Sequence, residues 1–551
     1  METNFKQINL ANLTDSELRP TIIILMNALE SALKTIDELR AEIKDLKDEI
    51  KFLKGEQGQP NFSPKKNPTN ISSEKFHNES KRTRRILSRE VKISENHIKI
   101  DQTVHCELDK SQLPSDIINK GVEITIRQDI IFRSNNTRYI REKYYSPSLN
   151  KTYTAPLPEG CTGYISDKIK TFCHIFHHDL DLSQSKIISA LRPIGIDLTT
   201  GMLNNILIEP AEIVINEKNR ILKAGLQGVF TQIDGTGAKF HGKSYTTQMI
   251  CSDDFTIFAT LAKKNRLHLL FALLGEPQQG LLYRCNDEAE KYLLHFKVSR
   301  SDIAILKNRF PKDQTLTELE FLNIMSKEYP AVYAKPNMFF RMCESLAFGY
   351  YFTQTEYSTI KYLVSDDAPE YNLLSQEHML CWVHDARYYN KLSPKLENNR
   401  KTLADFLSIY WEFYRLLQGY KLQPSPDAAL TLEAKFDEVF QPKTEYFDLN
   451  KEIERTKNNK SELLTVLKQP LLPLHNNLAE LKARVQVRKR DISLHTMSEI
   501  GTRIQDAMMS ITQTAKQNGV DLWKYLSDLI NQKNDFSLAD LIYEKQNNST
   551  P

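Results

Sequence analysis

Between positions 22 and 53 apolar residues recur alternately three and four apart: Ile22, Leu25, Leu29, Ala32, Ile36, Leu39, Ile43, Leu46, Ile50 and Leu53. A spacing that averages 3.5 keeps one seam on one face of a slightly underwound helix, which predicts a coiled coil. The a positions are mostly Ile and the d positions mostly Leu, the combination that favours parallel dimers. Glu42 with Lys47, and Glu49 with Lys54, fall at g and the following e with opposite sign, as an in-register homodimer requires. The same period also suits one amphipathic helix docked on its own domain. Gly55 ends the pattern. Residues 55–90 are poor in apolar side chains and rich in Gln, Asn, Ser, Pro and Lys, so they read as a flexible linker. Its basic cluster holds Arg82, Arg84 and Arg85, a group suited to phosphates.

From 91 to 160 apolar and polar residues alternate, which predicts strands, with Asn135-Asn136 as a hairpin turn. Arg127, Arg133, Arg138, Arg141 and Lys143 interleave there with Phe132, Tyr139, Tyr144 and Tyr145. Both DNA contact and an ordinary solvated strand face fit that mixture. Residues 161–225 return to helical spacing: Ser183 caps a helix that Pro193 stops, and a turn at Gly195 leads to a second helix through Leu203, Ile206 and Leu207. The layout is helix-turn-helix-like, although any αα-hairpin shares it. Cys173, His174, His177 and His178 lack a second ligand pair at zinc-site spacing, so a partly buried helix face is expected.

At 228 the pattern turns to β. Gly228 to Thr231 reads as a short strand that runs out at Asp234, where Gly235 and Gly237 force a sharp turn, followed by strands at 245–251 and 255–261 in an antiparallel meander. Residues 272–350 read as helical. Ile360 to Val364 reads as a buried strand ending at Asp366-Asp367, followed by a helix through Met379, Trp382 and Val383. Residues 400–470 are helical, and Asn476-Asn477 caps a helix that carries Glu480. The expected fold class is multidomain α+β, with domains at 1–54, 55–90, 91–160, 161–225 and 226–530 and a tail at 531–551.

Composition changes little in this picture. The 551 residues carry 40% hydrophobic and 26% charged side chains, and a net charge of +3 implies no polyanionic partner from the total alone. Seven scattered cysteines without a Cys-x-x-Cys pair point to free thiols in a reducing cytoplasm. No apolar run is long enough to span a membrane.

Candidate chemistry lies in the acids. Asp234 and Asp366 stand where predicted strands run out, and Glu480 stands in the first turns of a helix. Three oxygen donors converging over a mixed sheet would suit Mg²⁺ or Mn²⁺ and phosphoryl transfer. Lys482, Arg484, Arg488, Lys489 and Arg490 follow Glu480 closely, either as a rim for a polyanionic substrate or as a solvated helix face.

Three blocks resemble transposases of the insertion sequence 66 family: Gln232-Ile233-Asp234-Gly235-Thr236-Gly237; Ser365-Asp366-Asp367-Ala368-Pro369-Glu370-Tyr371 with Cys381-Trp382-Val383-His384-Asp385-Ala386-Arg387; and Asn476-Asn477-Leu478-Ala479-Glu480 continuing to Thr514-Ala515-Lys516-Gln517-Asn518-Gly519. The resemblance implies an RNase H-like DDE catalytic core with helical insertions at about 272–350 and 390–470. It further implies a triad of Asp234, Asp366 and Glu480, a divalent cation, cleavage of double-stranded DNA at element ends, and strand transfer. It also implies helper proteins from the same element. Gly235 stands where the family usually has Glu, Asp366 and Asp367 compete for the second position, and Cys106 alone in the family's zinc-module region predicts no structural zinc. A catalytically inactive DNA-binding accessory protein and a structure-specific nuclease are the competing expectations.

Overall fold

The computed structural model describes residues 18–53, 100–106, 124–127, 129–130, 133–159, 161, 163–310, 313–441, 443–533 and 536–548. The predicted linker at 55–90, with Arg82, Arg84 and Arg85, lies outside these residues, as does part of the predicted strand region before 133.

A single 36-residue helix, α1 (Leu18–Leu53), covers the heptad pattern. The β region contributes one hairpin, β1 (Lys143–Ser146) with β2 (Lys151–Thr154). Its turn lies at 147–150 and not at the expected Asn135-Asn136. Pro147 presets its own φ, and Asn150 accepts a left-handed φ of 46°. Three helices follow, α2 (Asp167–His178), α3 (Gln184–Leu191) and α4 (Thr200–Ile208), around a small core that includes Cys173, Ile187, Leu191 and Leu203. Arg192, Pro193 and left-handed Gly195 separate α3 from α4, as expected. His174 and His177 meet the carbonyls of Ile206 and Leu182 in that packing.

After α5 (Ala211–Gly225) comes a five-stranded sheet. Strands β3 (Phe230–Phe240), β4 (Lys243–Cys251) and β5 (Thr256–Leu261) form the predicted antiparallel meander. The glycines do not break β3. Gly235 and Gly237 stay paired with Gln248 and Thr246, and the chain reverses at His241-Gly242. Both of those residues have positive φ, 51° and 77°, which suits a two-residue hairpin turn.

Residues 266–351 are mostly helical, as read from sequence: α6 (Arg266–Leu273), α7 (Asp287–His295), α8 (Arg300–Arg309), α9 (Glu318–Glu328), α10 (Pro330–Tyr333) and α11 (Pro336–Tyr351). They also hold a small sheet that sequence periodicity did not reveal, β6 (Leu282–Arg284) with β7 (Thr315–Thr317). Strands this short carry too few side chains to display a period.

The chain then re-enters the main sheet with β8 (Ile360–Ser365), parallel to β3, and β9 (Ser375–Leu380), parallel to β8. The sheet order is β5-β4-β3-β8-β9. Met379, expected on a helix, lies near the end of β9; the helix α12 (Trp382–Lys391) begins only after Cys381. A helical block follows: α13 (Glu397–Leu422), α14 (Pro426–Val439), α15 (Phe447–Asn458) and α16 (Lys460–Leu463). It packs an aromatic core against Trp382. The chain ends with α17 (Asn477–Ser493), α18 (Glu499–Gln517), α19 (Leu522–Ile530) and α20 (Leu538–Asn548).

Helix α18 closes the β5 edge of the sheet. The N–H groups of Thr256, Phe258 and Thr260 donate to the side chains of Thr514, Ser510 and Asp506. Four helical residues rise about 6 Å and two strand residues about 6.6 Å, so one polar residue per turn matches every second strand N–H. An edge that would otherwise invite foreign strands is thereby saturated.

Helix α1 docks on its own chain through Met26, Asn27, Glu30 and Lys34. Met26 packs against Leu396. Asn27 bridges the Glu445 carbonyl and the Phe447 N–H. Buried Glu30 accepts from the N–H groups of Lys395 and Leu396 at 2.6 and 3.0 Å and from Asn399 Nδ2 at 3.3 Å, just ahead of α13. Lys34 pairs with Asp448. The heptad seam is divided: Ile22 and Leu29 pack in the same contact as Met26, whereas Leu25, Ile36, Leu39, Ile43 and Leu46 are exposed. Among the described residues no helix is long and apolar enough to cross a membrane.

Glu30→Ala should lower unfolding stability, measured in urea, by about 1–3 kcal/mol, because buried N–H groups lose a charged acceptor. Glu38→Ala on the exposed face of the same helix should change it by less than about 0.5 kcal/mol.

Candidate active site

Strands β3 and β8 run parallel, with Gln232 opposite Val364 as their last paired position. Asp234 and Asp366 each lie two residues further on, so neighbouring strands deliver both carboxylates at one end of the sheet. Ligand sites of mixed and parallel sheets gather at such carboxyl ends.

The third acid arrives on α17, whose start is tied to the same strand. Asn476 Nδ2 donates to the Ile233 carbonyl at 2.8 Å. Gln232 donates to the His475 carbonyl at 3.1 Å and accepts from the Ala479 N–H. Asn476 holds the N-cap position, yet its side chain does not cap the helix as expected; it is spent on β3. A second clamp comes from the β9–α12 corner, where Cys381 Sγ accepts from the Asn476 N–H and the Trp382 N–H donates to the Leu474 carbonyl. These bonds place Glu480, one turn into α17, beside the two aspartates.

The electrostatics show the convergence. Burial pushes the Asp234 carboxyl up to about 6, and the fields of Asp366 and Glu480 push the same way against a hydrogen bond from the Gly235 N–H. Burial also raises Asp366, which accepts from the Ala368 N–H. Asp367 is engaged elsewhere: it accepts the Tyr388 hydroxyl at 2.7 Å and lies 3.7 Å from Arg455, which stacks on the Tyr388 ring. Asp366 is thus the one of the pair whose charge acts on Asp234.

Three cationic or potentially cationic groups that the sequence did not single out by role border the acids. Arg387 Nη2 donates to Glu480 at 2.8 Å, and His384 Nε2 lies 3.4 Å from the same oxygen. Their i, i+3 spacing on α12 puts both on one face, a signal available in the sequence once Glu480 is known to lie opposite. Lys264 pairs with Glu370 at 2.7 Å. Burial works against its charge, yet Glu370, Asp366 and Asp234 together hold its ammonium above the ordinary value. Nothing in the sequence marks Lys264 out.

The basic rim expected along α17 is only partly a rim. Lys482 is buried and donates to Gln513; Lys489 is fully buried, bonds the His177 carbonyl, and burial pulls it down to about 8. These two cations hold α17 to the protein and face no solvent. Arg484 and Arg488 are exposed, and Arg490 donates to the Gly237 carbonyl at 2.6 Å.

Gly235 is explained by a close approach. A methyl group there would lie 2.7 Å from Nε2 of Gln248, whose Oε1 accepts the Tyr371 hydroxyl. Among the described residues no group of three or more His, Cys, Asp or Glu side chains is gathered closely enough to hold a metal ion as the structure stands.

The family model described as "Transposase IS66 family" matches residues 335–504, a stretch that contains Asp366, Arg387 and Glu480. "Uncharacterized protein y4jO" of Sinorhizobium fredii (strain NBRC 101917 / NGR234) is 32% identical over 317 residues, which cover 56% of this chain and 94% of that protein. The chain belongs to the IS66 transposase family. The family's sequence blocks thereby acquire physical roles in this chain: Asn476 and Cys381 lock two loops together, Arg387 and His384 hold Glu480, and Thr514 closes the sheet edge.

Asp234 is protonated more readily folded, at about 6, than at its ordinary value of 3.8. Its cost to the folded state is therefore absent below about pH 4 and complete above about pH 6. Asp234→Asn should stabilise the protein by about 1–3 kcal/mol at pH 8 and leave it unchanged at pH 4, read from thermal unfolding at both values. Gly235→Ala should cost about 1–2 kcal/mol, and Gln248→Ala in the same chain should recover part of it, the double-mutant coupling being the decisive quantity.

Proposed function

We propose that this IS66-family protein is a DDE transposase that cuts double-stranded DNA at the ends of its element and joins them to target DNA, with Asp234, Asp366 and Glu480 as the catalytic acids. The observation that carries the reading is the placement of Asp234 and Asp366 at the same end of parallel β3 and β8, with α17 tied to β3 so that Glu480 lies close enough for both acids to act on Asp234. The sheet supports it: three antiparallel strands followed by two parallel ones is the arrangement expected of an RNase H-like core.

The donor set fits a hard divalent cation. All three are hard carboxylate donors, and Asp234, pushed upward first by burial and then by the other two acids, would regain its charge beside a cation. Asp234, Asp366 and Glu480 would hold Mg²⁺ or Mn²⁺, which would supply Lewis-acid stabilisation of the phosphoryl oxygens. The chain's own residues do the rest. Arg387 and His384 restrain Glu480 while the site is free of substrate, Tyr388 and Arg455 keep Asp367 out of the group, and Lys264 offers a half-exposed ammonium to a phosphate. Water attack on the end phosphodiester expels the 3′-oxygen as a hydroxyl, and that hydroxyl in turn attacks a target phosphodiester, bonding to its phosphorus as the target strand's own 3′-oxygen leaves as a hydroxyl. Exposed Arg484 and Arg488 would face the duplex, and Arg82, Arg84 and Arg85 would add phosphate contacts from the linker.

The exposed part of the heptad seam suits a second copy of the chain: Ile36, Leu39, Ile43 and Leu46 are exposed, while the intramolecular contact uses Ile22, Met26 and Leu29 nearer the start of α1. A parallel homodimer through residues 22–53 would place two catalytic units on two element ends.

Asp234→Ala, Asp366→Ala and Glu480→Ala should each lower cleavage of duplexes taken from the DNA bracketing the gene by at least about a thousandfold, with duplex binding within about threefold of the parent. Asp367→Asn should retain cleavage within about tenfold. Full cutting by Glu480→Ala would sink the assignment, and metal-dependent cutting equally lost in Asp367→Asn would reverse the choice between the two aspartates.

A further inference from the structure

The β1–β2 hairpin and the extended segment before it spend no side chains on a core. All the residues of both strands are exposed except Ser146, which is half-buried. Residues 133–155 hold five cations, Arg133, Arg138, Arg141, Lys143 and Lys151, against one carboxylate, Glu142. Among the described residues none of the five is paired with an acid: Arg141 donates to the Ala155 carbonyl and Lys151 lies over the Tyr153 ring. Tyr139, Tyr144, Tyr145 and Tyr153 are all close to half exposed or more. An isolated two-stranded ribbon is marginal in water, and one that turns its aromatic rings outward gains nothing from folding alone.

The ribbon's base is anchored at one place. Asn136 Nδ2 donates to the Gly195 carbonyl at 3.2 Å, and Ser134 packs at the same glycine. Gly195 lies in the turn between α3 and α4, so the extended segment that leads into the ribbon passes beside the entrance to α4. Helix α4 buries Leu203, Ile206 and Leu207 and turns Thr200, Gly201, Asn204 and Asn205 outward. That outward face has no charge: it consists of a hydroxyl, a glycine and two amides.

We infer that the β1–β2 ribbon and the outward face of α4 form one duplex-DNA-binding surface, in which the ribbon grips phosphates and Asn204 and Asn205 read base edges. The division of chemistry identifies the partner. Cations and tyrosine hydroxyls suit a phosphate backbone, whereas paired amides suit the adjacent donor and acceptor of adenine in the major groove. A uniformly acidic protein or an anionic membrane would favour cations on both elements. A major groove admits both a helix and a two-stranded ribbon. The inference rests on the proposal that the protein acts on DNA and adds where, outside the acidic site, the duplex is held.

The test uses the full chain and two fluorescein-labelled duplexes, one from the DNA bracketing the gene and one of mixed sequence, titrated at several salt concentrations. Arg138→Ala/Lys143→Ala/Tyr144→Ala/Tyr145→Ala removes only exposed groups, so its thermal unfolding should match the parent. It should bind both duplexes at least about tenfold more weakly, with the log–log salt slope smaller by about two, one unit for each cation removed. Asn204→Ala/Asn205→Ala should keep the mixed-sequence affinity and lose about fivefold or more of the preference for the bracketing DNA. Unchanged affinity and slope in the ribbon variant, or a labelled single strand bound better than either duplex, would overturn the inference while leaving the catalytic reading intact. A parent protein that binds neither duplex would overturn both.

Discussion

The bond from Asn476 to the backbone of Ile233 is the constraint on which the site depends. A helix that begins 243 residues after Asp234 must arrive within reach of it, and helix propensity cannot specify that position. Asn476 spends its side chain on a strand carbonyl, Gln232 returns two bonds to the same loop, and the Cys381 thiol takes the remaining N–H. Each group is buried, so each bond is costly to leave unmade. The result fixes the register of α17 against β3, and therefore the height of Glu480 above the sheet.

That geometry carries an electrostatic cost. Burying Asp234 beside two more acids raises its pKa, and the protein offsets the crowding with Arg387 and Lys264 instead of spreading the acids apart. Strain of this sort is usual where a site is held ready for a cationic partner, at the expense of stability in its absence. The neighbouring Asp385 network is different in kind: its carboxylate is fully paired with Arg455, Thr456 and Tyr410, and serves to hold α12 against α13 and α15.

At the sheet's far edge the same economy of polar groups recurs. Residues Asp506, Ser510 and Thr514 do for β5 what a sixth strand would do, and they do it from a helix. Helix α1 docks on the chain near its start, through Ile22, Met26, Leu29 and Glu30, and leaves the later seam positions Ile36, Leu39, Ile43 and Leu46 exposed.

Much of the fold was legible in the residues because local rules govern it. The heptad stripe, the meander of β3 to β5, the strand before Asp366, the helix after Asn476 and the Gly195 turn each follow from a period or a backbone preference over a few positions. The three proposed acids were named from blocks of residues whose pattern resembles that of a family. Three errors have a common origin. Gly235 looked like a turn, Asn476 like a cap, and Lys489 like a rim residue, because each type does those things when its neighbours are only its sequence neighbours. In the folded chain Gly235 makes room for Gln248, Asn476 reaches a strand, and Lys489 bonds the carbonyl of His177 on α2. The sequence by itself determined which elements form and which acids are available. Only the tertiary structure decided which acid of the Asp366-Asp367 pair acts on Asp234 and which cations restrain Glu480, because burial and charge coupling depend on distances between segments that no local pattern encodes.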